Sequence, residues 1–531
     1  MRAVNELQIV IAALFVSAAG LNALANWLQV PYPIPLVLGG LVLGLLPGIP
    51  EVRMDPDLVL LVFLPPLLYS SAFFADLRAL RTDARVIALQ AIGLVLATTG
   101  VVAVIGHEVI DLPWAMAFAL GAIVSPTDPA AATAIMRRVG APRRLVNILE
   151  GESLFNDATA LVALKVAVAA AVGESVSAGH TVVEFFVEAG GGLAIGLGVG
   201  FVIGEVRRRV TDVNTELTIS LFSAYGAFVP AQQAGVSGVL AVVACGVYIG
   251  FRAPVISSPE SRILAEGLWS TLAFLLNAAL FILIGLQLQT IVDGLQGLPT
   301  GEVAGYTAAV CGAVIATRYV YNFTVTFLIR ALDRRPSQLA RRAGWRIRVV
   351  GGWAGMRGAV SLAAALSLPL QTDAGDPLPG RELIQFLTFA LILVTVVGQG
   401  LTLPWLIRRL GVIEAGDEEE REELRARLTI ARAALERIDE LEREEWTRDG
   451  SVDRVRRLYE YRQRRFKIRA GKLPDDDGVE EGSLAWQRMM HEIYGAQRSA
   501  LVGLRNGGEI SVEVMRRVQH EIDLEESRLE V

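Results

Sequence analysis

Acidic residues stand inside apolar stretches of this chain: Asp128 in Ser125-Pro126-Thr127-Asp128-Pro129, and Glu152 and Asp157 in Gly151-Glu152-Ser153-Leu154-Phe155-Asn156-Asp157. A charged side chain at the centre of a bilayer costs roughly 2.5–3.5 kcal/mol on insertion scales, so such acids mark functional sites by default. On a helix, Ser153 and Asp157 share one face, as do Glu152 and Asn156. Glu152 and Asp157 are separated by roughly 140° at ~3.6 residues per turn, so one helix can serve two different partners. Two arginines in later apolar stretches, Arg318 and Arg357, offer countercharges. Glu152 is expected to be neutralised by an arginine, and Asp157 to carry the chemistry.

That chemistry follows from the donor atoms. Carboxylate, hydroxyl and carbonyl oxygens suit a hard cation, and Asp157, Asp128, Ser153 and the Thr127 carbonyl could supply them. Pro129 lacks a helical N–H and Pro126 restricts Ser125, so the helix is expected to break there and release carbonyls. Burial penalises an ionised carboxylate, and so does a second carboxylate beside it. A proton or a cation relieves that penalty, so the two compete for the same oxygens. Asn156 is expected to cap freed backbone groups or orient its neighbours. Lys165 is expected to snorkel towards an interface, His107 and His180 to lie at the surface, and Pro65-Pro66 to kink a span. Cys245 and Cys311 sit in apolar runs, which argues against a disulfide framework or a metal site. No cofactor is expected.

The elements that must position these residues are membrane helices. The chain has 531 residues, 53% hydrophobic and 20% charged, and the two kinds are segregated. Apolar runs end near Ile413, so a polytopic membrane domain (1–413) is expected to precede a helical tail (414–531). At ~20 residues per span, about thirteen helices are expected near 6–28, 32–49, 57–76, 85–107, 113–136, 144–172, 181–206, 214–232, 236–251, 266–290, 303–329, 344–370 and 382–407. The first of these reads as a retained helix, not a signal peptide. Arginines crowd alternate loops: Arg78, Arg81 and Arg85; Arg137, Arg138, Arg143 and Arg144; Arg207, Arg208 and Arg209; Arg330, Arg334, Arg335, Arg341 and Arg342. The intervening loops carry Glu108, Asp111, Asp293 and Glu302, with Arg53 and Arg381 as lone exceptions. The positive-inside rule then places the N-terminus outside and the tail in the cytoplasm. Breaks in the fifth span and in Gly351-Gly352-Trp353-Ala354-Gly355-Met356-Arg357-Gly358 of the twelfth point to inverted repeats, with spans four to six mirroring eleven to thirteen. The formal net charge of −6, mixed in sign, gives no reason to expect nucleic acid.

With these residues in place, the chain resembles bacterial sodium/proton exchangers of the monovalent cation:proton antiporter-1 family. Phe63-Leu64-Pro65-Pro66-Leu67-Leu68, Thr127-Asp128-Pro129, Gly151-Glu152-Ser153 with Asn156-Asp157, Arg318, and Gly355-Met356-Arg357-Gly358-Ala359 carry the likeness in order. The resemblance implies an all-α membrane fold of 13 helices, a core domain (85–172 and 303–410), a dimerisation domain (1–84 and 181–290), a homodimer and an elevator-like motion. It implies that Asp157 and Asp128 bind Na+ with Ser153 and Thr127. Glu152 would pair with Arg318, and Arg357 would stabilise the crossed helices. The Asn156-Asp157 pair resembles the electroneutral branch, one proton for one sodium, serving pH homeostasis at the bacterial plasma membrane. Animal relatives carry an acid after the double proline, where this chain has Tyr69-Ser70-Ser71. Potassium/proton exchange is the main alternative. A cation channel and an intramembrane aspartyl protease stand further off, the latter because its glycine-x-glycine-aspartate signature is missing.

In the tail, Leu424, Leu428, Leu435, Ile438 and Leu441 recur at helical spacing. Gly450-Ser451, Gly482-Ser483 and Ile510-Ser511 read as helix starts with N-cap serines. Pro474-Asp475-Asp476-Asp477-Gly478 reads as a linker.

Overall fold

The computed structural model describes all residues except 1–16, 29, 45–60, 174–177, 288–290, 293–294, 296–298, 333–343, 415–416, 445–446, 448, 508, 528 and 530–531. The chain divides into two compact units, Met1–Glu414 and Ala415–Val531. Among the described residues it is helical, apart from turns, loops and one isolated bridge between Gln371 and Pro377.

In the first unit the helices are α1 (17–28), α2 (Pro33–Gly44), α3 (Leu64–Phe73), α4 (Leu77–Glu108), α5 (Trp114–Val124), α6 (Pro129–Val139), α7 (Arg143–Val172) and α8 (Ala178–Arg207). There follow α9 (Val213–Gln233), α10 (Gly238–Ile256), α11 (Pro259–Leu286), α12 (Thr300–Leu332), α13 (Trp345–Trp353), α14 (Ala359–Leu366) and α15 (Arg381–Leu410). Among the described residues, seven are long and apolar enough to cross a membrane: α4, α7, α8, α10, α11, α12 and α15.

Local chemistry sets where they begin. Asp76 accepts the amides of Arg78 and Ala79 at the start of α4, and Ser258 accepts that of Ser261 at the start of α11. Both helices therefore begin earlier than hydropathy alone indicates, because their first turns are capped but polar. Arg78, Arg81 and Arg85 lie on α4 and not in a loop. Arg207 is likewise no loop residue: it is buried at the end of α8, paired with Glu216 of α9 at 2.9 Å. Arg53, Arg334, Arg335, Arg341 and Arg342 lie outside the described residues. Pro65 and Pro66 do not kink a continuous helix; they occupy the first turn of α3, where a missing N–H costs nothing.

Two interruptions organise the site. Between α5 and α6, Asp128 N-caps α6 by accepting the Ala130 amide at 2.8 Å, and Pro129 fills the first helical position. Between α13 and α14, residues 354–358 are non-helical. The two breaks touch: the Asp128 amide donates to the Met356 carbonyl at 2.9 Å. Only a glycine fits at 358, since a Cβ there would lie 2.0 Å from Asp128 Oδ2. The Arg357 amide donates to Thr395 Oγ1 at 3.1 Å, in a π-helical turn of α15 spanning Val394–Gln399.

Apolar clusters cover the crossing from both ends. One joins Leu120, Ile123 and Val124 of α5 to Leu164, Val314, Ala365 and Leu391. The other joins Ile135 and Met136 of α6 to Leu145, Leu149, Val350, Met356 and Leu403. A third cluster, built from α3 and α9 to α11 with Leu154 and Ala158 of α7, flanks the same helix.

The second unit contains α16 (Asp417–Leu441), α17 (Asp449–Arg469), α18 (Val479–Asn506) and α19 (Val512–Ser527). Leu424, Leu428 and Ile438 form the buried stripe of α16. Ser511 caps α19 through the Val514 amide at 3.2 Å. Ser451 and Ser483 are not caps but lie within α17 and α18. At the start of α18 the capping acceptor is Asp475, which takes the amides of Val479 and Glu480.

Candidate functional site

The middle of α7 presents two faces with different fates. On the first, Glu152 Oε1 and Oε2 accept from Arg318 Nη1 and Nη2 at 2.6 and 3.0 Å, a bidentate pair. Arg318 Nε donates to the Gly351 carbonyl at 3.2 Å, tying α12 to α13. The Thr127 hydroxyl donates to Glu152 Oε1 at 3.0 Å. Asn156 Nδ2 donates to the Thr127 hydroxyl at 3.0 Å and the Thr127 carbonyl at 3.2 Å. Glu152, Arg318 and Asn156 are all at least nine-tenths buried, and the two charges are satisfied by one another.

The second face carries Ser153 and Asp157, which line a cavity of about 260 Å³ with Thr127, Asp128, Thr133, Gly358 and Ser361. Ser70 and Ser71 of α3 and Asn277 of α11 also line it. Asp157 is 7% exposed. Among the described residues, neither Asp128 nor Asp157 is ion-paired; Asp128 has only the Ala130 amide on its carboxylate. The cavity holds several waters' worth of space at about 30 Å³ each. Two carboxylates without an ion-pair partner among the described residues, set among hydroxyls in a cavity whose arginine, Arg137, is held by Glu150, make a site for a hard cation or for protons.

Thr127, Asp128, Ser153 and Asp157 thus meet in one cavity. The Thr127 hydroxyl, however, is committed to Glu152 and Asn156, and its carbonyl already accepts from Asn156, so the break frees less oxygen than the prolines alone indicate. Arg357 lies at the crossing, 1% exposed, and among the described residues its Nε and Nη1 have no hydrogen-bond partner. Sequence reasoning did not pick out Ser361, Thr133 or Asn277. Asn277 was the most visible of these, a lone amide in the apolar run of α11. Lys165 does not snorkel alone; its ammonium is paired with Glu184 and Glu188 of α8. His107 is half-buried, with Nδ1 at 2.8 Å from the Leu112 carbonyl and its ring stacked on Trp114. The His180 side chain lies outside the described residues. Cys245 and Cys311 are buried and unpaired.

The sequence profile of a family described as sodium/hydrogen exchanger, transmembrane, matches residues 10–409. The chain belongs to this family of secondary transporters. An exchanger is not an enzyme, and the protease reading falls. An uncharacterised Na+/H+ exchanger of Mycobacterium tuberculosis is 36% identical over 527 residues, covering 98% of this chain and 96% of that protein. The Na+/H+ antiporter ApNhaP of Aphanothece halophytica is 32% identical over 436 residues, covering 81% of this chain and 79% of that protein. The sodium proton antiporter MjNhaP1 of Methanocaldococcus jannaschii shares the fold, with a TM-score of 0.59 at 20% identity, over 76% of this chain and 98% of its own. The cavity lies where the break between α5 and α6 meets the break between α13 and α14.

Proposed function

We propose that this exchanger moves Na+, and Li+ as a close analogue, against H+ across the bacterial inner membrane, by competition of cation and proton for Asp157 and Asp128. The observation that carries the reading is the contrast between acids: Glu152 is held in a bidentate pair with Arg318, whereas among the described residues neither Asp157 nor Asp128 is ion-paired, and the arginine that lines their cavity, Arg137, is held by Glu150. A buried carboxylate held bidentately by a permanent cation cannot exchange one; an unpaired one can. Ser153 completes the oxygen set, and Thr127 contributes its carbonyl. Asn156 and Arg318 position the Thr127–Glu152 network, and Arg357 braces the crossing.

The Asn156-Asp157 pair, where an electrogenic exchanger would have two adjacent acids, favours an electroneutral cycle of one proton for one sodium, in which the site carries the same net charge in either loaded form. The crossing and its flanking helices, 85–172 and 303–410, would move as a core against a dimerisation domain, 1–84 and 181–290, of a homodimer. Thirteen spans with inverted repeats, an outer N-terminus and a cytoplasmic tail complete this reading. They rest on span spacing and on arginines at alternate helix ends. Sodium is preferred to potassium as substrate because the Mycobacterium and Aphanothece relatives carry Na+/H+ names.

In proteoliposomes with a trapped pH-sensitive dye, added Na+ or Li+ should collapse a preset proton gradient and K+ should not. Asp157→Asn should abolish the response while the protein still inserts. Wild-type flux from that variant would refute the assignment.

A further inference from the structure

The cavity has a far end that the exchange chemistry leaves unexplained. Glu150 and Arg137 line it there, joined by an ion pair of 2.6 Å, with 30% and 67% of their side chains exposed. Glu150, Ser153 and Asp157 stand at i, i+3 and i+7 on α7, one stripe along one face. At 1.5 Å per residue, Glu150 lies about 10 Å along the axis from Asp157. The turn between α6 and α7, just beyond, is rimmed by Arg138, Arg143 and Arg144, the last of these held by Asp83 at 2.6 Å. Of the acids at this rim, Asp83 is held by Arg144 and Glu414 accepts the Arg143 amide, and of the three it is Glu150 that lines the cavity.

We propose that the Glu150–Arg137 pair is the mouth filter of the exchanger. Glu150 recruits the incoming cation, and Arg137, seated where a cation would sit on that carboxylate, sets the concentration at which it enters. The inference rests on the antiport reading above. Charges about 10 Å apart at a partly screened cavity mouth change an equilibrium by a few-fold. The pair therefore governs apparent affinity on one membrane face and leaves the turnover step to Asp157 and Asp128.

The test is half-saturating Na+ measured separately from each face in sided vesicles containing full-length protein. Glu150→Gln should raise it about three- to tenfold on the face where Arg137 and Glu150 open, with the maximal rate held within about twofold. Arg137→Gln should lower it by a similar factor, the double variant should return near wild type, and an impermeant salt should shrink both shifts. A pair that only fastens α6 to α7 would move both single variants in the same direction, and that result would overturn the proposal, as would equal shifts from both faces. A wild-type protein without Na+-driven proton flux would instead overturn the antiport reading itself.

Discussion

Glu152 and Asp157 sit on one helix in a single run of apolar sequence, yet their side chains meet opposite surroundings. Glu152 faces Arg318, 166 residues away, and Asp157 faces a cavity. Helical spacing made the division legible, since 152 and 156 turn one way and 153 and 157 the other. Spacing could not reveal that the Thr127 hydroxyl is drawn into the Glu152 network, because that depends on how the broken segment lies against α7. Nor could it find the partners of Lys165, which belong to another helix. The pairing has a consequence for stability. Removing one member of a buried ion pair strands the other, a loss of about 3–5 kcal/mol. Glu152→Gln and Arg318→Ala should each lower the melting temperature and folding yield in detergent while leaving Na+ affinity of the folded fraction near wild type. Normal yield combined with weak Na+ binding would make Glu152 a ligand.

The crossing of the two breaks is the element on which the site depends. Prolines 126 and 129 and the glycines of 351–358 announce it in the sequence, because a missing N–H and missing side chains are local facts. The π-helical turns at Leu89–Leu94 and Val394–Gln399 are silent there: an extra residue in a helix turn leaves the apolar composition unchanged. Thr395, whose hydroxyl receives the Arg357 amide, lies in the second of them. The contact between breaks is tight enough to be tested by one methyl group. Gly358→Ala places a Cβ 2.5 Å from that of Asp128, so the segments must separate. Overpacking of this kind costs about 1–3 kcal/mol. Transport should fall at least about tenfold with a lowered melting temperature, whereas Gly312→Ala on α12, whose added Cβ meets nothing within 4 Å, should be neutral in flux and melting. Equal behaviour of the two variants would mean that the crossing tolerates more slack than its packing indicates.

Over the first unit, a polar crossing lies between two apolar clusters that have α7 and α15 in common. The cavity between them runs from Asp157 towards the partly exposed Glu150 and Arg137. Membership of the exchanger family gives the two cargoes, and the proposed site gives one place for both. If they compete for a single carboxylate, Na+ binding must eject a proton, and proton binding must weaken Na+ by the same linkage. The most direct measurement is proton release on adding Na+ to the purified protein across a pH series. Competition predicts release of protons that Asp157→Asn abolishes, and an apparent Na+ affinity that falls by about tenfold per pH unit on the acid side. Na+ binding without proton release, at an affinity indifferent to pH, would contradict it.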